Sequence, residues 1–379
     1  MRIPIINLEV GKCLMDKLVK KKLFIVRRES DGIGGAEKVA NRFLKSFSRF
    51  YETELVHAGK TIDGFKIRGT SGPTFIKCMR FALSTRTFLL KHPTSVVLSM
   101  ERGVPGTIYR AGDGVHLVWQ EYKYSNNLKK IFNPMNIILP MLEKISVEKS
   151  KYVVANSNLI KLHLQNHYSE LPQNKFSVIY NGYNSQIFKE LIESKKSDLY
   201  QKWNFSQENL NLLFSGSGWD RKGLNWCLEL TRNLLQAGLP VKIWIAGLGD
   251  QKKYQEISKK LGINEKVIFL GSVKNIQELY QISDYMVLPT KYDAFSNSCL
   301  EALSCGCRVL TTTQNGASEL VDESNGLVID IKKSDVYQKA VSHLLAYAKN
   351  KPKSNFRNYE NAFGNERETQ QYYELLNLA

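Results

Sequence analysis

Asp293-Ala-Phe-Ser-Asn-Ser-Cys-Leu-Glu301 sets two carboxylates eight residues apart. The first falls in a loop after the apolar run Tyr285-Met-Val-Leu-Pro289, and the second falls inside the helix that follows. Between them Ala294, Phe295, Ser296 and Asn297 put small or polar backbone at the helix start. A short apolar run closed by a turn residue reads as a buried strand. Strand, loop and helix in that order form the repeating unit of a doubly wound parallel sheet. Ligands of such sheets bind beyond the carboxyl ends of the strands, against helix N-termini. The stretch therefore predicts a site for a polar, anionic ligand carrying sugar hydroxyls.

The same unit recurs in both directions from this stretch. Upstream of Asn181-Gly182, strands are expected at Leu23–Val26, Glu54–His57, Phe65–Arg68, Val96–Met100, Ile108–Ala111, Tyr152–Ala155 and Ser177–Tyr180, with helical periods between them. A helix over residues 126–145 is expected to be interrupted near Pro134 and Pro140. After a polar stretch to Asn209, strands restart at Leu212–Ser215, Val241–Ala246, Val267–Leu270, Tyr285–Leu288, Arg308–Thr311 and Leu327–Ile329. Alternation of this kind predicts an α/β protein with two parallel sheets covered on both faces. The junction is placed at residue 182.

Length and composition agree with two ordinary domains. The chain has 379 residues, 43% hydrophobic and 23% charged, enough to build full cores. No apolar run approaches the roughly 20 residues of a membrane span, and Met1–Leu8 does not resemble a secretory leader, so cytoplasmic residence is expected. Of six cysteines, none has metal-clip spacing, and reduced buried thiols are expected. The segment 11–22 reads either as a short basic amphipathic segment or as an extra helix packed on the first domain. Net charge is +17 and uneven: residues 1–182 carry 29 Lys and Arg against 14 Asp and Glu, and residues 183–379 carry 24 against 22. A basic first half points to an anionic partner.

Five further loops carry chemistry. Gly32-Ile-Gly34-Gly35 follows the first strand and opens a helix, where free backbone N–H groups favour an anion or form a plain tight turn. Ser215-Gly216-Ser-Gly-Trp-Asp-Arg221-Lys222-Gly223 ends the first strand of the second half, with both cations read as standing at the next helix start. Cations there oppose the helix dipole, a cost that a bound anion between them offsets. Ile245-Ala-Gly247-Leu-Gly249 and Gly271-Ser-Val273-Lys-Asn275 end the next two strands on the same sheet edge. In the first half, Tyr109-Arg-Ala-Gly-Asp113-Gly-Val-His116 exposes an Asp between glycines that either caps its turn or orients and deprotonates an acceptor hydroxyl. His116 reads as structural or hydrogen-bonding, since no His/Asp cluster has metal spacing.

Taken together these residues resemble the retaining glycosyltransferases of the GT-B fold, family 4, over nearly the whole chain. The acidic pair is similar to the family's Glu-x7-Glu motif, with Asp293 where the first Glu is usual. Arg221-Lys222-Gly223 is similar to its diphosphate grip and Gly34-Gly35 to its glycine loop. Tyr109–His116 resembles the branch that builds the lipopolysaccharide core.

The resemblance implies two Rossmann-like domains facing across a cleft, with the last helix crossing back to the first. Residues 1–182 with about 358–379 would then bind the acceptor, and 183–357 the donor. It implies a UDP-sugar donor, UDP-glucose foremost, held by Gly34, Gly35, Gly216, Arg221, Lys222, Gly247, Val273, Asp293, Ala294, Phe295, Ser296, Asn297 and Glu301. Glu301 would take the ribose, Asp293 the sugar, and Phe295–Asn297 would offer backbone N–H groups. Asp113, Asp293, Arg221 and Lys222 would be catalytic, with Asp113 and His116 on the acceptor side. No metal or other cofactor is implied, and the anomeric configuration would be retained.

The acceptor would be a phosphorylated lipid-linked glycan, reached peripherally on the inner face of the cytoplasmic membrane through the anionic lipid surface. A sugar-nucleotide epimerase and a glucan synthase share these features. A nucleic-acid-binding protein has only the basic charge in its favour, with no recognisable motif, so no nucleic-acid partner is expected.

Overall fold

A computed structural model describes residues 20–29, 35–60, 64–69, 71–124, 132–351 and 359–378. The segment 11–22 lies almost wholly outside them, as do Gly34 and the first part of its loop.

Two parallel sheets form the frame. The first contains β1 (Lys22–Val26), β2 (Glu52–His57), β3 (Phe65–Lys66), β4 (Val96–Ser99), β5 (Ile108–Arg110), β6 (Tyr152–Ala155) and β7 (Phe176–Val178), in the order β3-β2-β1-β4-β5-β6-β7. The second contains β8 (Leu210–Ser215), β9 (Val241–Ala246), β10 (Val267–Gly271), β11 (Tyr285–Leu288), β12 (Arg308–Thr312) and β13 (Gly326–Ile329), in the order β10-β9-β8-β11-β12-β13. Central strands such as β8 and β11 are buried at every residue, which is why they read as continuous apolar runs. Strand order reverses between β1 and β4 and again between β8 and β11, so each sheet has one switch point where its loops part and leave a crevice.

The expected interruption at Pro140 does not occur. A single helix, Met135–Lys149, runs through it, with Pro134 at its N-cap. Pro140 has no N–H for the carbonyl of Asn136, and the Gln120 side-chain amide donates to that oxygen instead, at 2.7 Å. The proline is thereby accommodated without an orphaned acceptor. Strand β7 ends at Val178, two residues before its expected end, and Cys78, Cys227, Cys299, Cys305 and Cys307 are free and buried.

The last helix, Asn365–Asn377, crosses back onto the first sheet. Tyr372 packs edge-on against Phe43, and buried Glu368 accepts from Arg42 and from the N–H of Gly182, the latter at 2.8 Å. A side chain at position 182 would press on Asn365 and Glu368, so this crossing needs glycine. The two halves also meet through Glu319. Its carboxylate accepts from Asn158 N at 3.1 Å, Leu159 N at 2.8 Å and Tyr180 Oη at 2.6 Å, capping the helix Asn158–His167 from the opposite domain.

Candidate active site

The loops leaving the two switch points face each other and carry the charged groups. After β1, Arg27 donates to Glu37 at 3.1 Å and to the carbonyl of Met100 at 3.2 Å. After β4, Arg102 donates to Glu143 and to the carbonyl of Gly114, both at 2.9 Å. These two guanidiniums stand 3.7 and 3.6 Å from the carboxylate of Asp113. Burial of that carboxylate opposes its charge, but Arg27, Arg102 and Arg110 outweigh it and hold the group below the usual carboxylate range. The Asp113 side chain is nonetheless 51% exposed. It is an accessible, ionised group on a cationic backing. A carboxylate held that low is a weak base, better suited to orienting a hydroxyl or facing positive charge than to taking a proton.

Across the cleft, Arg221 donates from Nη1 to the carbonyl of Tyr292 at 2.8 Å and to Asp293 Oδ2 at 3.2 Å. Lys222 Nζ lies 3.9 Å from the same oxygen. One cavity of ≈ 410 Å3 is lined by Arg102, Asp113, His116, Arg221, Asp293 and Ala294, among others, and so draws on both domains. His116 forms its wall. The His116 backbone N–H donates to Glu143 at 3.1 Å, and burial lowers its ring to about 4, leaving it neutral.

The donor loops are tied to one another. Gly216 N–H donates to Ala246 O at 2.9 Å, Gly247 N–H to Gly271 O at 2.7 Å, and Leu248 N–H to Ser217 Oγ at 3.1 Å. Gly216 adopts φ +136°, and a Cβ there would meet the Lys222 ammonium at 2.7 Å, so the lysine lies across the glycine. Val273, two residues past Gly271, packs half-buried against the second core.

Glu301 is not in the Asp113–Asp293 cavity. It lines another of ≈ 590 Å3 with Gly35, Lys38, Arg42, Tyr183 and Asn297. Burial pushes its carboxyl up to about 7, against the pull of Lys38, Lys222 and Arg42. The two carboxylates of the opening stretch thus look into separate parts of the interdomain space.

Two expectations need correction. Arg221 and Lys222 do not begin a long helix: they end the four-residue helix Trp219–Lys222, and the helix Leu224–Gln236 starts only after Gly223. Their charge therefore does not oppose a helix N-terminus; it is met by Asp293. Second, the Ser296 N–H is already donated to Asn315 Oδ1 at 3.1 Å, and the side chains of Ala294, Phe295 and Ser296 are buried. Ser296 has no free N–H for a donor because Asn315 closes that loop.

Sequence reading missed Arg27, Arg102, Lys38, Arg42 and Tyr292. Lys38 and Arg42 are four apart on the helix after the glycine loop, a spacing that puts both on one face and was available as a signal. Arg27 directly follows β1, and strand order makes that a switch-point position. Nothing local marks Tyr292.

Residues 195–362 match the family described as glycosyl transferases group 1. This part of the chain is similar to the group 1 glycosyl transferases. The matched segment contains Arg221, Lys222, Asp293 and Glu301, and Asp113 lies outside it. An uncharacterized glycosyltransferase of Methanocaldococcus jannaschii, MJ1607, is 28% identical over 210 residues, 54% of this chain and 53% of that protein. The lipopolysaccharide glucosyltransferase WaaG of Escherichia coli is 28% identical over 169 residues, 44% of this chain and 45% of WaaG. The chain thus spans about half the length of these curated relatives. A crystal structure of WaaG superposes with TM-score 0.77 at 19% identity, covering 93% of this chain and 99% of that one. Anabaena HepE in complex with UDP superposes with TM-score 0.71 at 18% identity, covering 95% and 100%. The fold is the two-domain GT-B fold.

Proposed function

We propose that the chain is a retaining, metal-independent glycosyltransferase. It moves a hexose, glucose foremost, from a UDP-sugar to a phosphorylated lipid-linked glycan of the lipopolysaccharide-core type. The observation that carries this reading is the pairing, in one interdomain cavity, of Arg221 and Asp293 from the second domain with Asp113 and Arg102 from the first. In this reading residues 183–357 hold the donor, and 1–182 with the last helix hold the acceptor.

Arg221 and Lys222 neutralise the diphosphate as it leaves, work that falls elsewhere to a divalent ion. The anomeric carbon gains positive charge in the same step, and the side chains of Asp113 and Asp293 face it from opposite walls. The acceptor hydroxyl attacks from the leaving-group side, oriented by Asp113. Its proton passes to the departing phosphate, because Asp113 is too weak a base to hold it. Glu301 accepts hydrogen bonds from the ribose hydroxyls in the neighbouring cavity, with Lys38 and Arg42 close by.

Membrane attachment through the first domain has support in Phe132, Ile137 and Met141, which are 84%, 64% and 47% exposed around the start of the helix beside the acceptor cleft. Each Lys or Arg near an anionic surface adds about 1 kcal/mol. No described helix is long and apolar enough to cross a membrane. The site proposed for the protein is the inner face of the cytoplasmic membrane.

The test is UDP calorimetry joined to a transfer assay over a set of UDP-hexoses, with and without a chelator. Arg221→Ala and Lys222→Ala should each weaken UDP by about 1.5–3 kcal/mol, the range for hydrogen bonds to charged groups. Undiminished affinity in both variants defeats the diphosphate assignment, and a chelator-sensitive rate defeats metal independence.

A further inference from the structure

Asn181 stands at the junction of the two halves and bonds to both. Its Oδ1 accepts from Arg110 Nη2 at 2.5 Å, and its Nδ2 donates to Asn297 Oδ1 at 2.7 Å. Arg110 ends β5, and Asn297 is the first residue of the helix Asn297–Ser304. A guanidinium has donors and no acceptor. The Asn181 atom facing Arg110 is therefore the oxygen, which leaves the nitrogen for Asn297. That nitrogen donates and cannot accept, so the Asn297 atom facing it is also an oxygen. A polarity set by one cation thus passes through two amides and turns Asn297 Nδ2 the other way. Arg110 and Asn181 are both buried, where such bonds are strong.

Asn297 Nδ2 is turned towards the cavity that holds Glu301. A Cβ on Gly35 would lie 3.8 Å from it, and Gly35, Lys38, Arg42, Asn297 and Glu301 share that lining. Asn297 is partly exposed there, and its Nδ2 finds no acceptor among the described residues. The charges around it favour an anion. Lys38 and Lys45 make no ion pair among the described residues, whereas Arg42 is paired with Glu368 and Glu366 with Arg49. Glu301 is the remaining carboxylate, and burial keeps it partly protonated near neutral pH. Lys222 is close enough to act on Glu301, so the cavity adjoins the diphosphate clamp. The start of a helix adds partial positive charge.

We propose that Asn297 donates its side-chain amide to a phosphate oxygen of a bound diphosphate, and that Asn181 is the positioning residue that holds the amide in that sense. The proposal deepens the transferase reading and rests on it for the identity of the diphosphate, that of the UDP-sugar. It ties the donor site to the first sheet through the interdomain junction.

Calorimetry with UDP, and separately with inorganic pyrophosphate, would compare the parent with Asn181→Asp, Asn297→Ala and the double variant. Asn181→Asp keeps the bond from Arg110 but offers Asn297 only oxygens. The Asn297 amide then reverses and turns its own oxygen towards the anion. Each single variant should weaken UDP about five- to tenfold. The loss from Asn181→Asp should shrink about threefold or more once Asn297→Ala is present. A merely structural role for Asn181, or its new charge acting through space, would give equal losses in both backgrounds, and that result overturns the proposal. So does undiminished affinity in Asn297→Ala. Thermal unfolding checks that each variant is folded. Where Asn181→Asp is not, Asn181→Ala frees the Asn297 amide to rotate and should show the same dependence on Asn297. Should UDP fail to bind the parent while pyrophosphate binds and repeats the cycle, the transferase reading falls and the proposal stands. Binding of neither defeats both.

Discussion

The Val115 backbone N–H donates to the hydroxyl of Tyr292 at 3.0 Å, across the cleft. Val115 lies two residues after Asp113 and Tyr292 one before Asp293, so this bond joins the turns that carry the two cleft carboxylates. Gly114 makes the approach possible: it adopts φ +71°, and a Cβ there would sit 2.3 Å from the tyrosine oxygen. Tyr292→Phe keeps the ring between Trp119 and Tyr122 but leaves a buried N–H unpaired, at about 1–3 kcal/mol. Thermal unfolding should fall accordingly. Transfer should slow while UDP affinity holds, because Arg221 and Lys222 are untouched. Loss of UDP binding in that variant would mean that the tyrosine shapes the donor site itself.

Asp293 lies against both cations of the diphosphate clamp, at 3.2 Å from Arg221 and 3.9 Å from Lys222. Asp293→Asn removes a negative charge beside the place assigned to an anion. UDP affinity should therefore stay level or tighten. Transfer should drop about tenfold or more, equivalent to about 1.4 kcal/mol of lost transition-state stabilisation. Calorimetry paired with initial rates separates the two effects, and a rate equal to the parent would remove Asp293 from catalysis.

Asp113 has a folded pKa depressed below its unfolded value. The stability it contributes is present above the unfolded pKa and is lost only as pH falls through the lower folded one. Activity at neutral pH should therefore show no limb from this group. Asp113→Asn should lower transfer by a constant factor between about pH 6 and pH 8 and leave UDP binding nearly intact. A loss that grows with pH in that window would assign Asp113 a proton-accepting role after all.

Glu301 behaves in the opposite sense. Its folded pKa is raised to about 7, so the folded state holds a proton that the unfolded chain has released. Stability should then decline as pH rises from the ordinary Glu value of about 4.3 towards 7, and Glu301→Gln should remove that decline. The ionised form is the one that accepts from ribose hydroxyls. UDP affinity of the parent protein should rise between about pH 6 and pH 8, and that of Glu301→Gln should be flat. A parent affinity independent of pH would separate Glu301 from the ribose.

Much of this molecule is legible along the chain. Most strands of the two sheets are apolar runs closed by turn residues, and their alternation with helices dictates parallel order, which a local pattern suffices to specify. Arg221, Asp293 and the glycines of the donor loops were recognisable because each directly follows such a strand. Composition and spacing placed Asp113 in an exposed turn.

What only the tertiary structure decided is which charges meet. Arg27, Arg102 and Asp113 are up to 86 residues apart in sequence yet share one cluster, because β1 and β4 flank the switch point. That proximity is what keeps Asp113 ionised, and no local pattern contains it. Asp293 and Glu301 show the same limit at short range. Eight residues of sequence suggested one ligand face, but the loop before the helix Asn297–Ser304 turns between them and sends the carboxylates into separate cavities. Sequence determines the elements and the loops that bear chemistry. The electrostatic environment of each side chain depends on through-space distance, which exists only once the chain has folded.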